Sequence, residues 1–452
     1  MSQNTENNKS SISQVYEALK AFVESEKTMQ KYRKSDTDFI RSSALSFAKT
    51  VYLILSNMSN SLSVELYNVL ERNAQEQVSK SAFSQRRYLI LPELFHKLND
   101  ILIEKIYSAT NVTLKKWHGF TLSAIDGTVL TLPNTPDIKK FFGVQKGGPK
   151  KRPNYTPQAR HLIQYDVLNR LILRTELQPI TVGERTMMYN WVSSLQMNTL
   201  TMFDRGFSSF LLFYLMLEHK KPFIARLSLT FNNPVKAFVA SGALDEIVTF
   251  SNSSKIEYGG KIIPAHSEIR VRLVRVTLPD GGVEVLATSL LDEIMYPTTI
   301  FGEAYNLRWG VETCIDILKN KFLTLCFTGI KPDAILQETY ANIVLFNLHQ
   351  LLVLPAQVAV NERVKEHTIT QKAKGKDVKH EQKVNDNVSI GILKPLLFTL
   401  WITPDITKLV DLLVLQFAKS TVPIRKNRSF KRKKSLAKRR NLTTQTNFRR
   451  AA

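Results

Sequence analysis

The sequence predicts an α/β protein: a mixed sheet with flanking helices, a β-rich insertion, and a helical N-terminal domain. Three observations lead there. From Ile12 to Trp117 apolar residues recur at 3–4 spacing, as in SALSFAKTVYLILSNMS and LSVELYNVLERNA, and no proline occurs before Pro92. From Phe120 short runs rich in β-branched and apolar residues alternate with helical stretches in the order β-β-β-α-β-α-β. From Ser228 to Leu291 the pattern is strand after strand.

Taken in order, residues 1–11 are polar and expected to be disordered. In VSKSAFSQRRYLI, Ser79 caps a predicted helix whose exposed face presents Lys80, Gln85, Arg86 and Arg87. Such a face suits a helix laid against DNA, and equally a solvated surface. FTLSAIDGTVLTL, HLIQYDVL and RLILRTEL read as three strands, the first two joined by a Gly-, Pro- and Lys-rich loop over residues 133–160. Glu184–Leu195 has helical spacing. LTMFDRGF is a fourth strand, apolar enough to be central. Ser208 is the expected cap of an apolar helix ending at Glu218, and PFIARLS is a fifth strand. KIIPAHSEIRVRLVRVTL and VEVLATSLL flank a turn at residues 279–282. Helix is predicted again over Thr299–Lys321, Pro332–Leu354 and Ile392–Ala418, with Asn361–Asn387 as a polar loop.

Charge narrows the partner. The 452 residues carry 62 Lys and Arg against 39 Asp and Glu, a net charge of +23. A chain that is 43% hydrophobic buries a substantial core, which excludes a disordered or collagen-like protein. The excess of cations points to a polyanion. Residues 424–452 hold twelve Lys or Arg and no acid, yet the remainder is still net +11, so the body is basic without its tail. Two cysteines, Cys314 and Cys326, make no disulfide framework and fit a reducing cytoplasm. MSQNTENNKSS has no basic-then-apolar pattern, and the apolar stretches Ile343–Val360 and Ile392–Phe417 are interrupted by polar residues and proline, so neither a secretory signal nor a membrane span is expected.

Acidic residues in this basic chain stand out by placement. Asp126 sits late in the first strand, before Gly127, where a ligand or another segment can approach. Asp204 ends the fourth strand, directly before Arg205, and strand ends are where α/β folds place chemistry. An ionised carboxylate there is costly unless paired or metal-bound; a strand-end cap or ion pair is the plain alternative for either. Tyr305, Arg308, Glu312, Asp316 and Lys319 share one face of a helix at 100° per residue, a face that is either solvated or turned to something polar. Two strand-end aspartates and a helical glutamate suit divalent metal, Mg²⁺ above all, with Arg308 and Lys319 placed to grip phosphates. The eight His show no metal-ligand spacing, and no phosphate-binding Gly-rich loop occurs.

These motifs together resemble the DD-E transposases of bacterial insertion sequences, specifically the insertion-sequence-four family with its Tyr-Arg-Glu-Lys signature. Y-x2-R-x3-E-x6-K is matched by Tyr305, Arg308, Glu312 and Lys319; AIDGTVLTLP carries Asp126, TMFDRGFSSF carries Asp204, and LATSLLDEIMYP and KNRSFKRKK also have the family's look. The resemblance covers roughly residues 60–435. It implies an RNase H-like core with an inserted β-domain between Asp204 and Glu312. It implies Asp126, Asp204 and Glu312 as catalytic ligands of two Mg²⁺ ions, with Mn²⁺ able to substitute, and Tyr305, Arg308 and Lys319 on DNA phosphates. Its partners would be double-stranded transposon ends and target DNA, bound by a homodimer in a bacterial, nucleoid-associated setting.

The expected organisation is then a disordered tail (1–11), a helical DNA-binding domain (12–118), a catalytic core (119–227), the β-rich insertion (228–296), the rest of the core with C-terminal helices (297–420) and a basic tail (421–452). Lys80, Arg86 and Arg87 are candidate contacts to the ends, and Arg205 is a further candidate DNA contact. The aromatic that holds a flipped base in some relatives of the family is not carried over by any motif here: no Trp lies in the β-rich insertion, and Phe231, Phe238 and Phe250 are only guesses for it. The alternatives are an inactive or domesticated DNA-binding protein and a stand-alone nuclease of the same fold.

Overall fold

A computed structural model describes residues 3–56, 62–71, 78–109, 114–147, 154–278, 281–322, 326–374 and 381–424. Helices open the chain: α1 (Gln3–Glu24), α2 (Glu26–Tyr32), α3 (Phe47–Leu55), α4 (Leu62–Leu66), α5 (Lys80–Arg87) and α6 (Glu93–Ser108). Then come β1 (Thr121–Thr131), α7 (Pro136–Phe142), β2 (Val144–Gly147), β3 (Asn154–Asp166), β4 (Leu171–Pro179), α8 (Glu184–Trp191), β5 (Thr199–Phe203), α9 (Phe210–Glu218) and β6 (Phe223–Leu227). The next stretch holds α10 (Asn233–Ser241), β7 (Asp245–Ser251), β8 (Ile256–Tyr258), β9 (Lys261–Ile263), β10 (Glu268–Thr277) and β11 (Val283–Thr288). It is followed by α11 (Thr299–Asn306), α12 (Trp309–Asn320), α13 (Pro332–Ala373), β12 (Gln382–Val384), α14 (Asp386–Leu393), α15 (Leu397–Ile402), α16 (Thr407–Lys419) and β13 (Thr421–Pro423).

The chain divides into two compact units, one of residues 1–113, 130–159 and 316–452, the other of residues 114–129 and 160–315. The first is mainly helical around α13. That helix is long and apolar enough to cross a membrane by length and composition, but most of its apolar stretch is buried against α1, α3, α6 and α16. It runs through Pro355, where a stop was expected, and on to Ala373. Pro355, Ala356 and Val360 are all buried, so packing holds a helix across the missing N–H. The expected loop over Asn361–Asn387 is therefore helical in its first half.

The mixed sheet, most of whose strands lie in the second unit, has the strand order β2-β3-β1-β5-β6-β11-β10-β7, with β4 paired to β3. β1, β5 and β6 run parallel; β11 turns antiparallel to β6, and β10 antiparallel to both β11 and β7. All five residues of β5 are buried, as a central parallel strand requires. The helices α8 and α9 supply Met187, Met188, Trp191, Leu212, Phe213 and Met216 to the core over this sheet.

Several expectations change. The segment 1–11 is helical from Gln3, continuous with α1. The expected loop 133–160 contains α7, β2 and the start of β3; its residues 148–153 lie outside the described residues, as do residues 279–280 and the basic tail from 425. Ser209, not Ser208, caps α9, its hydroxyl accepting from Leu212 N; the Ser208 hydroxyl instead donates to Arg226 O at 2.8 Å. The β-rich stretch is not a separate body. Its strands β11, β10 and β7 extend the main sheet beyond β6, because β11 (VEVLAT) is buried along its last four residues and pairs through the free edge of β6. It also contains a helix, α10, capped by Asn232 and closed by Gly242 in the left-handed conformation.

Candidate active site

The sheet register sets the site. β1 and β5 pair in parallel from Thr121↔Thr199 to Ala124↔Met202. Two residues further in the same register, Asp126 stands level with Asp204, on neighbouring strands whose spacing is about 4.8 Å. Both lie where their strands leave the buried core: β1 is buried through Ile125, and Asp126 is half-buried. Asp126 Oδ1 accepts from Gly127 N at 2.9 Å. Asp204 Oδ1 accepts from Gly206 N at 2.8 Å and Phe207 N at 3.3 Å, closing a turn that leaves Arg205 exposed.

The third carboxylate comes from the first turn of α12. The expected continuous helix over Thr299–Lys321 breaks at Leu307–Arg308, so the five polar residues do not form one stripe. Tyr305, at the end of α11, is buried, and its hydroxyl donates to Phe203 O at 3.1 Å, directly before Asp204. Burial pushes its phenol far above the usual range. The side chain expected on a phosphate is thus an anchor between α11 and β5. Arg308 is also buried; its Nη2 donates to Glu312 Oε1 at 2.9 Å, its guanidinium lies 4.9 Å from the Trp309 ring, and its Nε has no partner among the described residues. Asp316 is exposed and accepts from Asn320 Nδ2 at 2.6 Å. Lys319 is half-buried in the last turn of α12.

Electrostatics ties these groups together. Burial pushes the Asp126 carboxyl up to about 6, helped by the charges of Asp204 and Glu312 and opposed by the Gly127 N–H and Arg308. The fold therefore resists the charged form. A raised acid contributes stability that is complete below its unfolded value near 3.8 and is lost as pH rises through about 6. Asp126→Asn should stabilise the metal-free protein by about 2–3 kcal/mol at pH 8 and by nothing at pH 4. Thermal unfolding at the two pH values checks this; an equal shift at both would contradict it.

Side chains that sequence reasoning did not single out complete the surroundings. Arg185 Nε donates to Gly206 O at 2.6 Å. The Glu184 carboxylate pairs with Arg160 at 2.7 Å and occupies the space where a side chain at Gly127 would begin. Gly127 was the signal: a glycine inside a strand marks a close approach, and what approaches is Glu184.

The other expected contacts fare differently. Ser79 does cap α5, accepting from Ala82 N, and Lys80 and Gln85 are exposed. Arg86 is half-buried, donating to Leu45 O at 3.0 Å with its guanidinium 4.5 Å from the Phe39 ring. Arg87 is buried in an ion pair with Glu338, so it is not on the exposed face at all. Phe238 and Phe250 are core residues, and Phe231 packs on Phe213 and Phe250, so none is free to hold a base. The exposed aromatic beside Glu312 is Trp309.

The family described as the transposase DDE domain matches residues 117–348, half of the chain, a span in which Asp126, Asp204 and Glu312 all lie. The transposase InsG for insertion sequence element IS4 of Escherichia coli (strain K12) is 25% identical over 237 residues, 51% of this chain and 52% of that protein. The putative transposase InsZ of the same strain is 27% identical over 93 residues, 21% of this chain and 31% of its own length. The chain thus spans about half or less of the length of these curated relatives. A solved structure of the piggyBac transposase synaptic complex with hairpin DNA covers 92% of this chain and 88% of its own, with a TM-score of 0.42 and 11% identity.

Proposed function

This chain belongs to the transposase DDE domain family, and from that membership and its site we propose that it is an insertion-sequence transposase of the insertion-sequence-four type. It would cut DNA at the terminal inverted repeats of its element and join the 3′ ends to target DNA. The observation that carries the reading is the parallel register of β1 and β5, which brings Asp126, midway along β1, level with Asp204 directly after β5, with Glu312 and Arg308 close enough to shift the Asp126 carboxyl. The part β4-β3-β1-β5-β6 supports an RNase H-like core, here prolonged by three further strands.

The donor set fits a hard divalent cation: three carboxylates with no His or Cys among them. Asp126, Asp204 and Glu312 would hold Mg²⁺, with Mn²⁺ able to replace it. When bound, such ions supply charge neutralisation to the attacking and leaving oxygens of a phosphodiester. As the side chains stand, no group of three or more His, Cys, Asp or Glu among the described residues is gathered to hold an ion. Like charges explain this: Glu312 is drawn to Arg308 instead. Arg308, with its spare Nε, would exchange Glu312 for a DNA phosphate, a charge-assisted contact. Tyr305 keeps α11 on the strand that delivers Asp204.

The intact trio supports an enzyme over an inactive DNA-binding relative. Exposed Lys80 and Arg205 are offered to DNA, Arg86 and Lys319 are half-exposed, and pairing of two ends calls for a homodimer in the bacterial cytoplasm. The test is incubation of the protein with DNA carrying its element's ends and Mg²⁺ or Mn²⁺. Nicks at the ends followed by joined products are expected; cutting without regard to the ends would favour the nuclease reading.

A further inference from the structure

We infer that the first turn of α8 is a brace that positions both Asp126 and Asp204, with Glu184, Arg185 and Arg160 as positioning residues. The inference rests on the proposed metal role of Asp126 and Asp204.

Each aspartate takes an N–H from a nearby glycine, and each glycine is held by α8. At Asp126 that donor is Gly127 N. A Cβ built on Gly127 would lie 2.6 Å from Glu184 Oε1 and 2.7 Å from Glu184 Cγ, so the Glu184 side chain fills the space that glycine leaves. Neighbouring residues of a strand face opposite sides of the sheet. Glu184 therefore presses on the side away from the Asp126 carboxyl, behind the peptide that orients it. Arg160 on β3 fixes the Glu184 carboxylate through the 2.7 Å ion pair. At Asp204 the donor is Gly206 N, and the Gly206 carbonyl accepts from Arg185 Nε at 2.6 Å. Two adjacent residues of one helical turn thus hold the strand segment and the turn that aim the carboxylates. Asp126 and Asp204 stand level on neighbouring strands and repel each other, so their orientation needs support from behind. Support of this kind typically changes metal affinity 10- to 100-fold.

The experiment is Mn²⁺ binding to the full-length chain, read from the signal of free Mn²⁺, with thermal unfolding of each variant alongside. Gly127→Ala and Glu184→Ala should each weaken Mn²⁺ about 10-fold, and the double variant should be no weaker than either, because both act through one contact. Arg185→Ala should weaken it similarly, and Arg185→Lys, which keeps a donor for the Gly206 carbonyl, should recover most of the loss. Unchanged Mn²⁺ affinity in folded variants, or additive losses in the double variant, would overturn the brace alone, provided Asp126→Asn and Asp204→Asn abolish binding. If those two substitutions leave Mn²⁺ binding intact, the metal reading fails and the brace with it.

Discussion

Asp126→Asn, Asp204→Asn and Glu312→Gln should each reduce metal-dependent cleavage at the element's ends by about a thousandfold or more while leaving end binding within a few-fold of the unaltered protein. The size follows from the chemistry. Neutralising charge on the attacking and leaving oxygens contributes several kcal/mol, and about 4 kcal/mol is a thousandfold in rate. Binding is spared because the carboxylates carry the wrong sign to hold phosphates. Their removal makes the site more positive, and the counterion-release term comes from cations elsewhere on a chain of net charge +23. Glu312→Gln has a second expected consequence: it frees Arg308, whose guanidinium is otherwise paired at 2.9 Å, so DNA binding without metal should tighten. Gel-resolved cleavage and fluorescence anisotropy on the same DNA separate the two effects. A variant that cleaves normally removes that residue from the proposed site, and one that loses binding in step with cleavage marks a folding defect.

What was legible in the sequence depends on what kind of physics each feature obeys. The strand β5 and the helix α9 are written in local composition: an apolar run of strand length, a serine, another apolar run. Asp126 and Asp204 were visible because a carboxylate beside a buried strand is rare enough to need a reason. Their alignment was not, because register is set by pairing between segments 78 residues apart in the chain. The stripe from Tyr305 to Lys319 failed for a different reason. Spacing at 100° per residue assumes an unbroken helix, and Tyr305 instead spends its hydroxyl on Phe203 O and the helix restarts at Trp309. The β-rich stretch was correctly read as strands and wrongly as a separate body, since nothing local says whether an edge strand such as β6 stays free. α10 carried its own signals in Asn232, Pro234 and Gly242, and these were overlooked within a β pattern. α13 overrode Pro355 because the surrounding fold buries it.

Arg87→Ala should destabilise the helical unit by about 3–5 kcal/mol, far more than any loss of a surface DNA contact. Arg87 looked like one of three basic residues on an exposed face; it is instead the buried end of a polar network that joins α5 to α13. Its Nη1 donates to Glu338 Oε1 at 2.8 Å and to Thr328 Oγ1 at 3.1 Å, and its Nε donates to Gln337 Oε1 at 3.1 Å. Gln337 in turn donates to Arg87 O and Ile90 O. Removing the guanidinium takes the Arg87 charge away from a buried Glu338 carboxylate that also accepts from the backbone N–H groups of Thr328 and Gly329. Lys80→Ala, at the other end of α5 and exposed, should shift stability by less than about 0.5 kcal/mol. Denaturant unfolding of the two variants distinguishes a structural arginine from a DNA-binding one, because a phosphate contact would instead leave stability alone and lower the salt dependence of DNA binding by about one ion. The decisive control is the double variant Arg87→Met with Glu338→Leu. If burial of an unpaired charge is the cause, removing both charges together should recover most of the stability that Arg87→Ala loses, since a buried ion pair replaced by apolar groups of similar size is often neutral or stabilising. A double variant as unstable as the single would mean that the loss comes from the hydrogen bonds to Gln337 and Thr328 rather than from the charge on Glu338.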